Sequence, residues 1–169
     1  MSLIVKVSLL DMIRVGFGQD SHKLSDSSDK KLFLGGVEFP LRVESNCDGD
    51  VMIHALCNAI DQAVGLGSLS VYSDAMCKSG IRDSREYLKV AVGHAKTKGY
   101  RINNAGISFE GKIPKIEPIS GEIRKKLCPI LEIEEDALGV NATSGEGMTP
   151  FGKGEGVQAF AIVSLAKIN

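Results

Sequence analysis

The sequence predicts an α+β domain, a mixed sheet of about four main strands with helices on one face. Three observations point there. Strand-like and helix-like stretches are intermixed and include a hairpin. The last stretch, Gly156 to Ile168, is a long Val/Ala/Ile/Leu run of the kind a central strand carries. Neither a repeat nor a linker divides the chain, so residues 1–169 are expected to form a single domain, long enough to close one hydrophobic core.

Residues 1–11 read as an extra strand or a tail. Met1 to Leu10 is apolar with one Lys, too short for a signal peptide and without a small-residue cleavage site. Ile13 to Phe17 alternates as a strand does, and Lys31 to Pro40 reads as a hairpin turning at Gly35-Gly36. Asp48 is the expected cap of a helix running to about Val64, with an apolar stripe of Met52, Leu56, Ala59, Ile60 and Ala63. Residues 67–83 are polar and read as a mobile loop. Ser84 is the expected cap of a second helix, closed by Gly99. Tyr100 to Phe109 is a strand with turn-prone Asn103-Asn104 inside it. Glu117 to Ile130 is a third helix, Glu132 to Asp136 an acidic turn, and Leu138 to Thr143 a further strand.

Hydrophobic residues make up 43% and charged residues 24%, the balance of an ordinary globular protein. The net charge of −1 gives no reason to expect a nucleic acid or an anionic membrane as partner. No run of 18 apolar residues occurs, so no membrane span is expected. With no Trp, the core must be aliphatic. Cys47, Cys57, Cys77 and Cys128 contain no CxxC pair and read as free thiols in a reducing compartment.

Chemistry concentrates in a few places. Asp20 and His22 are two apart in extended chain and so point to the same side. With His54, from the first helix, they offer two imidazoles and a carboxylate with a fourth position open, a catalytic zinc arrangement. Spacing alone leaves open a plainer alternative, a loop His22 and a core His54 with a satisfied ring. His94, in a Lys-rich helical stretch, reads as a solvated surface residue. Asn141 to Gly147 leaves a strand for a Gly-rich stretch ending Phe151-Gly152-Lys153-Gly154-Glu155-Gly156, which offers hydroxyls and backbone N–H groups to phosphate, or is simply a long polar hairpin. Gly111-Lys112-Ile113-Pro114-Lys115-Ile116 precedes a helix and reads equally as a cup for a base or phosphate and as an ordinary loop.

Together these stretches resemble the 2-C-methyl-D-erythritol 2,4-cyclodiphosphate synthase family. The resemblance rests on Arg14 to His22 (RVGFGQDSH), Leu34 to Pro40 (LGGVEFP), Cys47 to Leu56 (CDGDVMIHAL), Asp83 to Glu86, Gly111 to Ile116, Ala142 to Glu146 and Gly154 to Gly156. It runs in unbroken order from about Ile13 to Ile168. It implies a homotrimer with active sites at subunit interfaces and a nucleotide substrate. The implied reaction converts 4-diphosphocytidyl-2-C-methyl-D-erythritol 2-phosphate to the 2,4-cyclodiphosphate with release of CMP, in the non-mevalonate isoprenoid pathway. The implied setting is a bacterial cytoplasm, or a plastid if a transit peptide was removed.

The resemblance also implies site residues. Asp20, His22 and His54 match Zn2+ ligands, and Glu146 matches the holder of a second ion, Mg2+ or Mn2+. Gly111 to Ile116 with Glu117 match the cytidine pocket, Thr143 and Ser144 a hydroxyl pair at the α-phosphate, and Asp74 the carboxylate on the methylerythritol hydroxyls. Ser21, Gly145, Pro150 and Lys153 complete the implied substrate contacts, with Asn46, Cys47, Ser68, Leu69 and Ser70. Ser144, Asn46 and Glu146 fall at catalytic positions.

Four departures stand out. Asn46-Cys47 replaces His-Ser, Asn58 replaces an Asp, and Ser68-Leu69-Ser70 replaces Asp-x-Gly before a loop about one residue short. Lys153 replaces an Arg and loses bidentate phosphate geometry. They keep alive a rival reading, a catalytically weak trimer that binds cytidine nucleotide or isoprenoid diphosphate.

Overall fold

The computed structural model describes residues 12–168, so the reading of residues 1–11 as an extra strand or tail lies outside the described residues. The strands are β1 (Ile13–Lys23), β2 (Lys31–Leu34), β3 (Val37–Arg42), β4 (Tyr100–Glu110), β5 (Leu138–Thr143) and β6 (Gly156–Lys167). The helices are α1 (Val51–Ala63), α2 (Ser70–Lys78), α3 (Ser84–Thr97), α4 (Ser120–Leu131) and the short α5 (Pro150–Lys153). A four-stranded sheet has the order β1-β6-β4-β5, with β4 and β5 parallel and the other pairs antiparallel. It is therefore mixed, as the sequence suggests, and β2 and β3 form a separate hairpin. Among the described residues no helix is long and apolar enough to cross a membrane.

The aliphatic run of β6 is explained by its inner place in the sheet. Val157, Ala159, Ala161, Val163 and Leu165 alternate onto the covered face and are buried. The opposite face is bare among the described residues: Ile13, Val15, Phe17 and Ile162 are each at least 53% exposed. Asn103-Asn104 is accommodated as a register shift in β4 between Ile102 and Asn104.

Helix α1 buries its expected stripe, with Met52, Leu56, Ala59 and Ile60 at 0% exposure and Ala63 at 7%. Each large side chain so buried contributes about 1.5–3 kcal/mol. The polar stripe of α1 is spaced by four residues and runs along β1. His54 Nδ1 lies 2.9 Å from Asp20 Oδ2, Asn58 Nδ2 donates to the Gln19 carbonyl at 3.2 Å, and Gln62 Oε1 accepts from the Phe17 N–H at 2.7 Å. Since β1 is an edge strand among the described residues, Asn58 and Gln62 satisfy backbone groups that no neighbouring described strand reaches. The close approach is allowed by two glycines. A Cβ built at Gly16 would overlap the Ala59 carbonyl oxygen, and one at Gly18 would overlap that of Ala55.

Several local expectations are corrected. The cap of α1 is Asp50, not Asp48: its buried carboxylate accepts from Ile53 N at 3.1 Å, Gly35 N at 2.9 Å and Gly36 N at 2.7 Å. Burial, then the nearby Asp48 charge, pushes this carboxyl up to about 6, while the three N–H groups pull it back. The cap of α3 is Asp83, which accepts from Arg85 N at 2.9 Å, and Ser84 is the first helical residue. Strand β1 continues through Asp20 and His22, which belong to the strand and not to a loop beyond it.

Residues 67–83 are not a loop, because α2 occupies their middle. It lacks a side-chain cap and is held from outside. Leu69 N donates to Asn58 Oδ1 at 2.9 Å, the Tyr72 hydroxyl to Asp61 Oδ2 at 3.0 Å, and Cys77 is joined to Cys47. That disulfide corrects the free-thiol reading for this pair, while Cys57 and Cys128 are free and buried. His94, read as a solvated surface residue, is only partly exposed: its Nδ1 donates to buried Asp61 at 2.8 Å and its ring meets Tyr72 edge-on. The Gly-rich stretch is not a plain hairpin. It forms a tight turn over Gly145–Gly147 and then α5, capped by Thr149.

The α1–β1 approach yields a paired prediction. Gly18→Ala should destabilise the fold by about 1–3 kcal/mol through overpacking. Gly93→Ala, in α3 with open space around it, should stabilise it by about 0.5–1 kcal/mol. Urea unfolding midpoints compare the two.

Candidate metal centre and substrate cleft

Three side chains from β1 and α1 converge. Asp20 and His22 project to one side of β1, and His54 is the fourth residue of α1, one turn in. Asp20 Oδ2 lies 2.9 Å from His54 Nδ1 and 3.3 Å from His22 Nε2, and the imidazole centroids are 5.9 Å apart. One donor atom from each residue falls within 4.8 Å of the others, the only such grouping among the described residues.

The electrostatics of this group favour a cation. Burial alone would raise Asp20, yet the adjacent imidazoles of His22 and His54 hold its carboxyl well below the usual range. Burial pulls His54 down, but the hydrogen bond to Asp20 and the charges of Asp20, Asp48 and Asp50 carry it upward overall. The Nε2 atom of His22 is buried and, although 3.3 Å from Asp20 Oδ2, is not aligned for a hydrogen bond, a cost removed if it ligates an ion. Two imidazoles and a carboxylate suit Zn2+, so the donor set fits.

This group opens into a cleft of about 230 Å³, which Asp20, His22 and His54 share with Asn46, Cys47, Ser68, Leu69, Ser70 and Asp74. Ser45, Asn58, Ser73 and Tyr87 also line it. Helix α2 thus forms one wall, tied to the floor by the Cys47–Cys77 disulfide. Asn58 joins two edges of the cleft by donating to Gln19 and accepting from Leu69, a double role that an ionised Asp lacks. Next to it, Ser21 and His22 share a hollow with Pro150 and Phe151. A larger hollow of about 500 Å³ shares Cys47 with the cleft and carries Asp48, Lys30, Lys31, Arg82 and Arg85, but none of the three cation donors.

The other expected residues form a second group past the ends of β4 and β5. Gly111 N donates to the Thr143 carbonyl at 3.1 Å, Lys112 N to that of Phe151 at 3.1 Å, and Gly145 N to Thr143 Oγ1 at 3.0 Å. Ser144 offers its carbonyl to Gly147 N at 3.2 Å. Glu146 has a left-handed backbone (φ 50°) between two positive-φ glycines. The Lys112 side chain lies against Gly154, next to Lys153. Lys115 and Glu117 are exposed, whereas the Ile116 side chain is in the core. Gly111 to Glu117, Thr143 to Glu146 and Lys153 do not line the metal cleft within this chain.

Sequence reasoning missed Asp48 and Ser84 as parts of the site. Asp48 Oδ2 accepts from Ser84 N at 2.7 Å, and the Ser84 hydroxyl bonds Asp48 Oδ1 and lies 2.7 Å from His54 Nε2. The Asp48-Gly49-Asp50 spacing was the available signal, but which carboxylate caps α1 depends on where the β2–β3 turn lies.

A sequence profile of the YgbB family matches residues 13–166. The 2-C-methyl-D-erythritol 2,4-cyclodiphosphate synthase of Chlamydia trachomatis serovar L2 is 42% identical over 156 residues, 90% of this chain and 87% of that one. Among solved structures, the CDP complex of Plasmodium falciparum IspF superposes with a TM-score of 0.82 at 28% identity, covering 94% of this chain and 98% of that one. The 2C-methyl-D-erythritol 2,4-cyclodiphosphate synthase of Plasmodium vivax gives a TM-score of 0.80 at 27% identity, covering 93% and 99%. On the profile match and the 42% identity together, the chain belongs to the YgbB family, that of the 2-C-methyl-D-erythritol 2,4-cyclodiphosphate synthases.

Proposed function

We propose that this chain cyclises 4-diphosphocytidyl-2-C-methyl-D-erythritol 2-phosphate to 2-C-methyl-D-erythritol 2,4-cyclodiphosphate and releases CMP. The observation carrying the reading is the convergence of Asp20, His22 and His54 at the mouth of a polar cleft, in a member of this family. An oxygen of the substrate's own 2-phosphate attacks the β-phosphorus as the bond from that phosphorus to CMP breaks. No protein nucleophile is required, and the protein's task is to hold two phosphates in line. When bound, Zn2+ at Asp20, His22 and His54 and Mg2+ or Mn2+ at Glu146 would neutralise charge on the diphosphate.

The remaining roles follow the chemistry of each group. Asp74, with Ser68 and Ser70 on the same wall, accepts hydroxyls of the methylerythritol and ribose. Thr143, Ser144 and the Gly145 backbone face phosphate oxygens, and Lys153 adds charge. Asn46 sits on the cleft floor and donates a hydrogen bond without carrying charge. Gly111 to Glu117 hold cytosine.

A homotrimer with sites between subunits is part of the proposal. Its support is the bare apolar sheet face, where Phe17 stacks on Phe160 at 5.8 Å, together with the separation of nucleotide-side residues from the metal cleft in one chain. The bacterial source of the 42% identical Chlamydia relative supports a bacterial cytoplasmic setting.

Zinc-loaded protein given Mg2+ and the substrate should yield CMP and the cyclic diphosphate by phosphorus NMR. Inorganic phosphate would indicate a phosphatase, and no turnover would indicate a binding protein. His54→Ala should reduce zinc content to background and turnover by roughly 10²-fold or more, with the solution mass by light scattering unchanged. Glu146→Gln should raise the Mg2+ needed for half-maximal rate by about tenfold and leave zinc content as it was.

A further inference from the structure

We propose that Ser84 and Asp48 form a positioning relay behind His54, and that this relay sets the zinc affinity of the cleft. It rests on the metal-site reading above and deepens it.

The geometry fixes the direction of every hydrogen bond in the relay. Asp48 is a carboxylate and only accepts. Its Oδ2 takes the Ser84 N–H at 2.7 Å and its Oδ1 takes the Ser84 O–H. The Ser84 proton is therefore spent on Asp48, and the lone pair of Oγ faces His54 Nε2 at 2.7 Å. For this contact to be a hydrogen bond, Nε2 must carry a proton. Nδ1, which meets Asp20 Oδ2 at 2.9 Å, is then the ring nitrogen left to give its lone pair to a cation in place of the proton it shares with Asp20. That is the atom a cation needs. Asp48 does not reach the ring unaided, since its Oδ1 is 3.9 Å from Nε2.

Ser84 is not occupied elsewhere. Capping of α3 is done by Asp83, so the hydroxyl of Ser84 is not needed at the helix end. The residue is wholly buried, and no water competes for its oxygen. Tyr87, one turn further along α3, packs its ring 6.2 Å from His54 and sends its own hydroxyl to the Ile81 carbonyl at 2.6 Å. The ring is thus held by a face contact and by a directed hydrogen bond, from an element other than its own.

Partners that orient a ligating imidazole typically change metal affinity by about 10–100-fold when removed. Ser84→Ala is a narrow test, because the backbone N–H to Asp48 and the Asp83 cap both survive it. Zinc affinity is measured by competition with a chromogenic chelator, and ligand geometry by the visible spectrum of the Co2+ form. Ser84→Ala is expected to weaken zinc by about 10–100-fold and shift the Co2+ bands, with Ser84→Thr restoring both. Asp48→Asn gives the same loss, and carries the test if Ser84→Ala does not fold. Zinc bound by Ser84→Ala as tightly as by the unaltered chain, with an unshifted spectrum, would overturn the relay alone. An unaltered chain that binds no zinc would remove the metal site itself.

Discussion

The close contact between α1 and β1 is the constraint on which the rest depends. With side chains at positions 16 and 18, the helix would be displaced from the strand. His54 would then leave Asp20, and the edge of β1 would lose the Asn58 and Gln62 contacts that satisfy its backbone. The same two glycines that weaken a strand on entropic grounds are what bring an imidazole from a helix and a carboxylate from a sheet to one point. Burial of the apolar stripe of α1 supplies the stability that holds this arrangement.

The cleft is built around an excess of carboxylate. Asp20, Asp48 and Asp50 lie within two short segments that meet near His54. Each is answered differently. Asp50 is wrapped in backbone N–H groups, Asp48 is taken by Ser84, and Asp20 has only the two imidazoles. The first two are satisfied within the fold, whereas Asp20 with the orphaned His22 nitrogen is balanced best by a cation from outside.

Much of this was legible in the sequence where local rules suffice. The period of α1, the Gly35-Gly36 turn, the buried run of β6 and the same-side pairing of Asp20 and His22 all follow from spacing. What was not legible depends on distant partners. Helix α2 has no cap and little apolar periodicity, and it exists because Asn58, Asp61 and Cys47 hold it from outside. Asp48 and Asp50 are equivalent as caps until the hairpin turn selects the second. Ser84 looks like a cap until Asp83 fills that place. Cys47 and Cys77 are far apart in sequence, and no spacing rule pairs them. His94 looks solvated until Asp61 is seen buried beside it.

X-ray absorption at the zinc edge of the zinc-loaded protein tests the central claim most directly. The account predicts stoichiometric zinc with only light atoms, nitrogen and oxygen, at about 2.0–2.2 Å, and outer-shell scattering from two imidazoles. A sulfur scatterer at about 2.3 Å, or a shell without paired imidazoles, would contradict it.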